Sequence, residues 1–532
     1  MKRWTKILSL LAVLLISMAA TAADFEVQVL RLIEAGFPEK ARLVGDIAQS
    51  GDERALDILN AWNDGELYFV RNPDRVVFAE SSDSGFTVTD VLTGDITEGV
   101  GRRAVRPISV NNSLRQTLGV TLGALRLSTG TDAQRLEAAR RLLRAADREN
   151  RALIETALET ETHEPVRRVL LHNIALLDFN YGTVPVQLAA LNTLQDSLNS
   201  DVRNALTRKL AAAETDPQVR AEVEQVLEKI EGRVRFFRQM DNVFFGLSLG
   251  SVLLLAAIGL AITFGVMGVI NMAHGEMMML GAYTTFVVQK FLPVSLDYSL
   301  LVAVPLAFLV AGAVGVLMER GIIRFLYGRP LETLLATFGI SLILQQTVRS
   351  IFGPLNQAVA NPSWMSGSWV INGAFSITYN RLFIVIFAIM VFLSLLFVLR
   401  HTRFGLQMRA VTQNRAMANS MGIRSGWVDA LTFGLGSGVA GIAGVALSQL
   451  TNVGPNLGQA YIIDSFLVVV FGGVGNLWGT LVAALSLGVA NKLIEPYTGA
   501  VLAKIVLLIG VILFIQKRPR GLFALKGRAV EG

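Results

Sequence analysis

The stretch GVINMAHGEMMMLGAY at 268–283 sets Asn271, His274 and Glu276 among strongly apolar residues, with Gly268, Gly275 and Gly281 close by. Polar groups in such surroundings are costly unless paired. They either close a helix end at a break or touch whatever passes through the protein. A second cluster, FGGVGNLWG at 471–479, has Gly472, Gly473 and Gly475 to interrupt a helix, and Asn476 follows. Asn271, His274, Glu276, Gly472, Gly473 and Asn476 are therefore the candidates for a translocation pathway, whose chemistry is hydrogen-bond exchange with a solute. A third set comprises Asp464 beside Ser465, with Asn491, Lys492 and Glu495 near the end of an apolar run. No Ser/His/Asp or paired-carboxylate arrangement can be argued, so an enzyme is not expected. The chain has no cysteine, which excludes disulfides and thiol chemistry. His163 and His172 have no partner at ligand spacing and read as surface or packing histidines, so no metal is expected. No GxxxxGK[ST] occurs, so any ATP-driven step needs a separate subunit.

These residues need membrane helices to hold them. Apolar runs at about 243–264, 277–292, 300–318, 333–351, 382–399, 428–449, 462–474, 478–493 and 499–516 are each long enough, or nearly so, to cross. The second and seventh are short and glycine-flanked, which predicts broken or re-entrant helices. The expected fold is an all-α polytopic membrane protein of about eight to nine spans. Arg320, Arg324 and Arg329 fall in one predicted inner loop. Arg400, Arg403, Arg409, Arg415 and Arg424 fall in another, and Lys517, Arg518, Arg520, Lys526 and Arg528 in the C-terminal tail. Loop 352–381 carries only Arg381 and belongs outside. Gly246/Gly250 and Gly434/Gly438, four residues apart, allow close helix packing. Phe245-Gly246-Leu247 and Phe433-Gly434-Leu435 start two spans of opposite predicted direction, as in an inverted repeat; chance likeness between glycine-rich spans gives the same pattern.

The inner loop HTRFGLQMRAVTQNRAMANSMGIRSG predicts one helix over 407–421, ended by Gly422. Met408, Val411, Met417 and Met421 can share an apolar patch, with Arg409 and Arg415 elsewhere. That face suits a partner's groove or the lipid surface.

The N-terminal part differs. Lys2, Arg3 and Lys6, an uncharged run Ile7–Met18 and Ala20-Thr21-Ala22 predict an export signal over 1–23, with an uncleaved anchor as the alternative. An extracytoplasmic domain over 24–241 would follow, then the membrane domain over 242–532. HEPVRRVLLHNIALL, NSDVRNALTRKLA and DPQVRAEVEQVLEKI each place Val-Arg ahead of an amphipathic helix, with Val166, Val202 and Val219 in like positions. They resemble HEAT-type helical repeats. Alternating residues between Leu67 and Thr97 predict a small strand-rich insert. Charge divides the same way: 34 of the 42 acidic residues precede Asn242. The 17% charged content thus averages an acidic domain and a basic, apolar one. The basic excess lies in the apolar part, which points to membrane orientation rather than nucleic acid.

GLSLGSVLLLAAIGLAITFGVMGVINMAHGEMMMLGAY, LLATFGISLILQQ, RAVTQNRAMANSMGI, FGLGSGVAGIAGVAL and VVVFGGVGNLWGTLVAAL, in that order, resemble the permease subunits of branched-chain-amino-acid-type ABC importers. The resemblance covers nearly all of 242–532. It implies a second permease subunit, two cytoplasmic ATPase subunits that use ATP, a periplasmic binding protein, and no cofactor on this chain. It makes the 407–421 helix, with Arg409, Arg415, Met417 and Gly422, the ATPase coupling element. It places the chain in a bacterial inner membrane, N-terminal domain in the periplasm and C-terminus in the cytoplasm. The N-terminal extension is similar to that of the longer permease in the urea-uptake branch, so urea is the expected cargo and a branched-chain amino acid the alternative. A passive channel or ion-coupled carrier is the competing class, and a membrane-anchored receptor a third.

Overall fold

The computed structural model describes residues 25–523 apart from 72, 83, 84, 102, 146, 213, 214 and 293. The expected export segment and the tail residues Lys526 and Arg528 lie outside the described residues. Two compact units divide the chain, Met1–Glu231 and Gly232–Gly532.

The first unit opens with α1 (25–31), α2 (Phe37–Gln49) and α3 (Ala55–Asp64). Five strands follow: β1 (Leu67–Val70), β2 (Arg75–Ser82), β3 (Gly85–Asp90), β4 (Ile96–Val100) and β5 (Val105–Pro107). They form one sheet in the order β4-β3-β2-β1-β5, antiparallel throughout. The alternating residues between Leu67 and Thr97 form three of the five strands and the start of β4. Helices then continue as α4 (Asn112–Thr129), α5 (Asp132–Ala145), α6 (Arg151–Thr160), α7 (Glu164–Tyr181), α8 (Val184–Leu194) and α9 (Ser200–Ala211). Val166, Val202 and Val219 are all fully buried, so the three similar stretches turn the same face inward. Asn199 caps α9 by accepting from Asp201 N at 2.7 Å. Arg135 joins Glu161 (2.8 Å) to Asp132 (2.9 Å) and holds the Glu161 carboxyl below its usual range.

Helix α10 (Pro217–Met267) carries the boundary between the units. The second unit continues as α11 (His274–Phe291), α12 (Leu296–Gly321) and α13 (Pro330–Phe352). A hairpin of β6 (Ser368–Asn372) and β7 (Phe375–Thr378) precedes α14 (Tyr379–His401). Two short helices, α15 (Arg403–Gln413) and α16 (Arg415–Ser420), lead to α17 (Ser425–Ser448), α18 (Leu457–Gly472), α19 (Leu477–Thr498) and α20 (Ala500–Lys517). Among the described residues seven helices are long and apolar enough to cross a membrane; α11 and α18 are not among them. These two are the second and seventh apolar runs, the ones with glycine at their ends. The described residues thus form a mainly helical membrane protein with a mixed N-terminal unit.

The single helix expected over 407–421 is two. Asn414 adopts an extended backbone, and its side chain accepts from Met417 N at 2.9 Å, capping α16. An asparagine with this local bond competes with continued helix. Met408 and Val411 consequently pack inside, while Met417 (62%) and Met421 (78%) are exposed, so the four do not share a patch.

Backbone proximity organises the helices. A Cβ on Gly246 would stand 2.5 Å from Val489 Cα, and one on Gly250 2.8 Å from the Ala484 oxygen. So α10 packs tightly on α19. A Cβ on Gly434 would meet Val316, and one on Gly438 would meet the Phe308 ring, so α17 packs on α12. Of the helices α10, α11, α12 and α17, α18, α19, the first of each three therefore abuts the third of the other three.

Candidate functional site

Between α10 and α11 the chain leaves helical geometry for 268–273. Gly268 takes φ +68°, a conformation that side chains with a Cβ resist. Asn271 Oδ1 accepts from Ala273 N at 3.0 Å and shapes the turn into α11. His274 is fully buried, and its Nε2 lies 2.9 Å from the Ala256 carbonyl, so that nitrogen carries the proton and donates. Ala256 is 11 residues before the end of α10. The segment therefore folds back along the preceding helix, as a re-entrant turn does. Gly259 makes room for the ring: a Cβ there would stand 2.8 Å from His274 Cε1.

Glu276 lies in the first turn of α11, where a carboxylate complements the exposed amides of the helix start. Its Oε1 accepts from Ser341 Oγ at 3.0 Å and from Gln345 Nε2 at 2.7 Å. Both donors come from α13. That helix buries Thr333, Thr337, Ser341 and Gln345, a polar residue every four positions along one face. Thr337 accepts from Met272 N at 3.1 Å and ties the stripe to the break. The stripe was missed from sequence although it lies in PLETLLATFGISLILQQ; its four-residue period is the signal that finds it. Glu276 Oε2, His274 Nδ1 and Asn271 Nδ2 have no hydrogen-bond partner among the described residues. With Glu276 only 1% exposed, this cluster is closed rather than open to solvent.

A second turn mirrors the first. Helix α18 starts where α11 starts: a Cβ on Gly275 would stand 2.5 Å from the Gly458 oxygen. Two helix N-termini therefore meet inside the bundle. Transporters use discontinuous helices in this way to present backbone groups to a solute.

The Gly472–Asn476 cluster is not brought to this point. It forms the turn between α18 and α19, with Gly473 at φ +103°. Asn476 caps α19 by accepting from Gly479 N at 3.1 Å and donates to the Phe523 carbonyl at 3.3 Å. Asn476 also lines a cavity of about 500 Å³ with Arg409 of α15. Arg409 donates to the Leu399 carbonyl. Arg415 pairs with Asp429 of α17, and its guanidinium lies 4.1 Å from the Tyr327 ring centroid. Both arginines thus bond to their own chain. Gly422, at φ +84°, turns it after α16. Among the described residues no group of three His, Asp or Glu side chains is placed to hold a metal ion.

Crossing-length helices packed on glycine, two shorter helices that begin together, and a polar cluster without catalytic geometry define a membrane transport protein. The family model described as branched-chain amino acid transport system, permease component, matches residues 242–516, and the chain belongs to that family. The high-affinity branched-chain amino acid transport system permease protein LivH of Salmonella typhimurium is 33% identical over 298 residues, 54% of this chain and 96% of the relative. BraD of Pseudomonas aeruginosa is 31% identical over 297 residues, with the same shares covered. The ribose import permease protein RbsC of Escherichia coli is 29% identical over 140 residues, 24% of this chain and 44% of the relative. No solved structure matches.

Proposed function

We propose that this chain is one of two membrane subunits of a binding-protein-dependent ABC importer in a bacterial cell membrane. A second permease completes the pathway, two cytoplasmic ATPase subunits supply the energy, and a periplasmic protein delivers the solute. This chain then needs no cofactor of its own. The observation that carries the reading is the meeting of α11 and α18 at Gly275 and Gly458, beside the polar stripe of α13. The inner-loop arginines support an N-terminal unit outside and a C-terminus inside. Because Arg415 turns inward, the exposed Met417 and Met421 are the residues offered to an ATPase groove.

The relatives' names support a branched-chain amino acid as the cargo. Urea is the second reading, favoured by one observation. Relatives matched over 96% of their length have no room for a counterpart of the N-terminal unit. Uptake of radiolabelled leucine and urea, in cells with and without this gene under nitrogen limitation, decides between them. Leucine uptake alone lost with the gene assigns the amino acid, and urea uptake alone lost assigns urea. Accumulation that persists in vesicles without ATP would overturn the ABC reading.

A further inference from the structure

Four charged side chains of the second unit converge away from the α11–α18 meeting point. Asp464 lies on α18, Lys492 and Glu495 on α19, and Lys504 on α20. Lys504 Nζ bonds Asp464 Oδ2 at 2.8 Å, and Lys492 Nζ bonds Glu495 Oε2 at 2.7 Å. All four line one cavity of about 180 Å³, together with Asn491 and Tyr461. This is smaller than the roughly 300–1,000 Å³ of drug-sized pockets, so only a small molecule fits.

Two features make this more than a structural pair of ion pairs. Ionisable groups within membrane helices are rare, and they mark solute pathways by default. The second feature is Asn491. It is 9% exposed and lines the cavity. An amide on a cavity wall offers two N–H donors and one carbonyl acceptor to an occupant.

The charges select the occupant. Two positive and two negative groups sum to zero, so the cavity gives a net ion no advantage. It favours a molecule that is neutral overall and bears N–H donors at one end and a carbonyl or carboxylate acceptor at the other. We propose that the cavity bounded by α18, α19 and α20 is a binding station for a small, net-neutral nitrogenous solute of this kind, a class that includes both zwitterionic amino acids and urea. Asn491 orients the solute, while the carboxylates take its N–H groups and the ammonium groups its oxygen. The proposal rests on the importer reading for its role in transport, but not for binding itself.

The test uses the full-length protein in lipid nanodiscs, with radiolabelled leucine and radiolabelled urea as probes in equilibrium binding. Uptake is measured separately in cells that carry the whole transport system. Asn491→Leu removes the amide without unpairing a charge. The double variant Asp464→Asn with Lys504→Met removes one ion pair as a unit. Each is expected to weaken binding of the cognate probe tenfold or more and to raise the KM of uptake. Membrane abundance and thermal unfolding should be unchanged for Asn491→Leu. Wild-type affinity in both variants would overturn the proposal. So would a wild-type protein that supports uptake yet binds neither probe, and the importer reading would then stand. If this chain binds a probe but cells show no dependent uptake of either solute, the importer reading fails and the station stands.

Discussion

The turn into α11 and the turn into α18 lead to helices that begin at the same point, but the turns are held differently. Residues 268–273 are fixed by side chains: Asn271 shapes the turn, His274 reaches Ala256, and Glu276 takes two hydrogen bonds from α13. Residues 449–456 are fixed mainly by backbone, with a side-chain bond from Arg349 to Asn456 Oδ1 at 3.1 Å. Val453 and Gln357 exchange N–H···O bonds of 2.7 and 2.9 Å, and Gly454 lies against the Asn356 side chain. No charged residue occupies the first turn of α18. Its half of the unit is tied by a charge at the far end of α17, through Asp429 and Arg415. Similar backbone arrangements thus carry unlike chemistry. Polar bonding concentrates at the break in one half. In the other it lies mainly away from the break, at the foot of α17 and in the cavity beside α18.

The comparison breaks most visibly if the tie on α17 is cut. Arg415→Met leaves the Asp429 carboxylate, whose side chain is 3% exposed, without its partner. Stranding a buried charge costs about 3–5 kcal/mol. Purified protein should lose thermal stability and membrane abundance accordingly. Adding Asp429→Leu should restore most of both, because removing the two charges together leaves no orphan. Equal stability of Arg415→Met and wild type would mean that α17 is held by packing alone.

A smaller effect is expected at the α11 break. Glu276→Ala leaves the Ser341 hydroxyl and Gln345 amide without their acceptor, at about 1–3 kcal/mol. Glu276→Gln keeps an oxygen for both donors. It should leave abundance unchanged and slow uptake, measured with whichever solute the cells accumulate. Loss of folded protein in Glu276→Gln would make the carboxylate a purely structural element.

Much of this contrast is legible in the sequence, and the limits are physical. Helix length and apolarity locate the spans, and glycines beside short apolar runs locate both broken helices. The alternation in ELYFVRNPDRVVFAE marks strands, because side chains alternate across a sheet. What a segment's own pattern cannot give is the partner across space. Asp464, Asn491, Lys492 and Glu495 stand out as polar residues in apolar runs, yet Lys504 joins them only through packing of α20. Arg415 reads as a free basic residue of an inner loop until Asp429, 14 positions on, is seen to take it. Asn414 is a different failure: its capping chemistry is local, but the amphipathic pattern on both sides of it reads as one helix.

The smallest expected effect sharpens the comparison most. Gln357→Ala removes a side chain whose amide donates to the Phe352 carbonyl at 3.3 Å, but it leaves both backbone bonds to Val453 intact. If backbone pairing holds the turn into α18, stability should move by no more than about 0.5 kcal/mol, the usual range for substitutions outside such ties. Amide exchange at Val453 should also stay as protected as in the wild type. The contrast with Glu276→Ala is then one of degree, since one turn answers mainly to side chains and the other mainly to its backbone pair, with Arg349 on Asn456 as a side-chain tie. A loss for Gln357→Ala as large as that for Glu276→Ala would show that both turns depend on side chains, and the asymmetry between the halves would reduce to the charges alone.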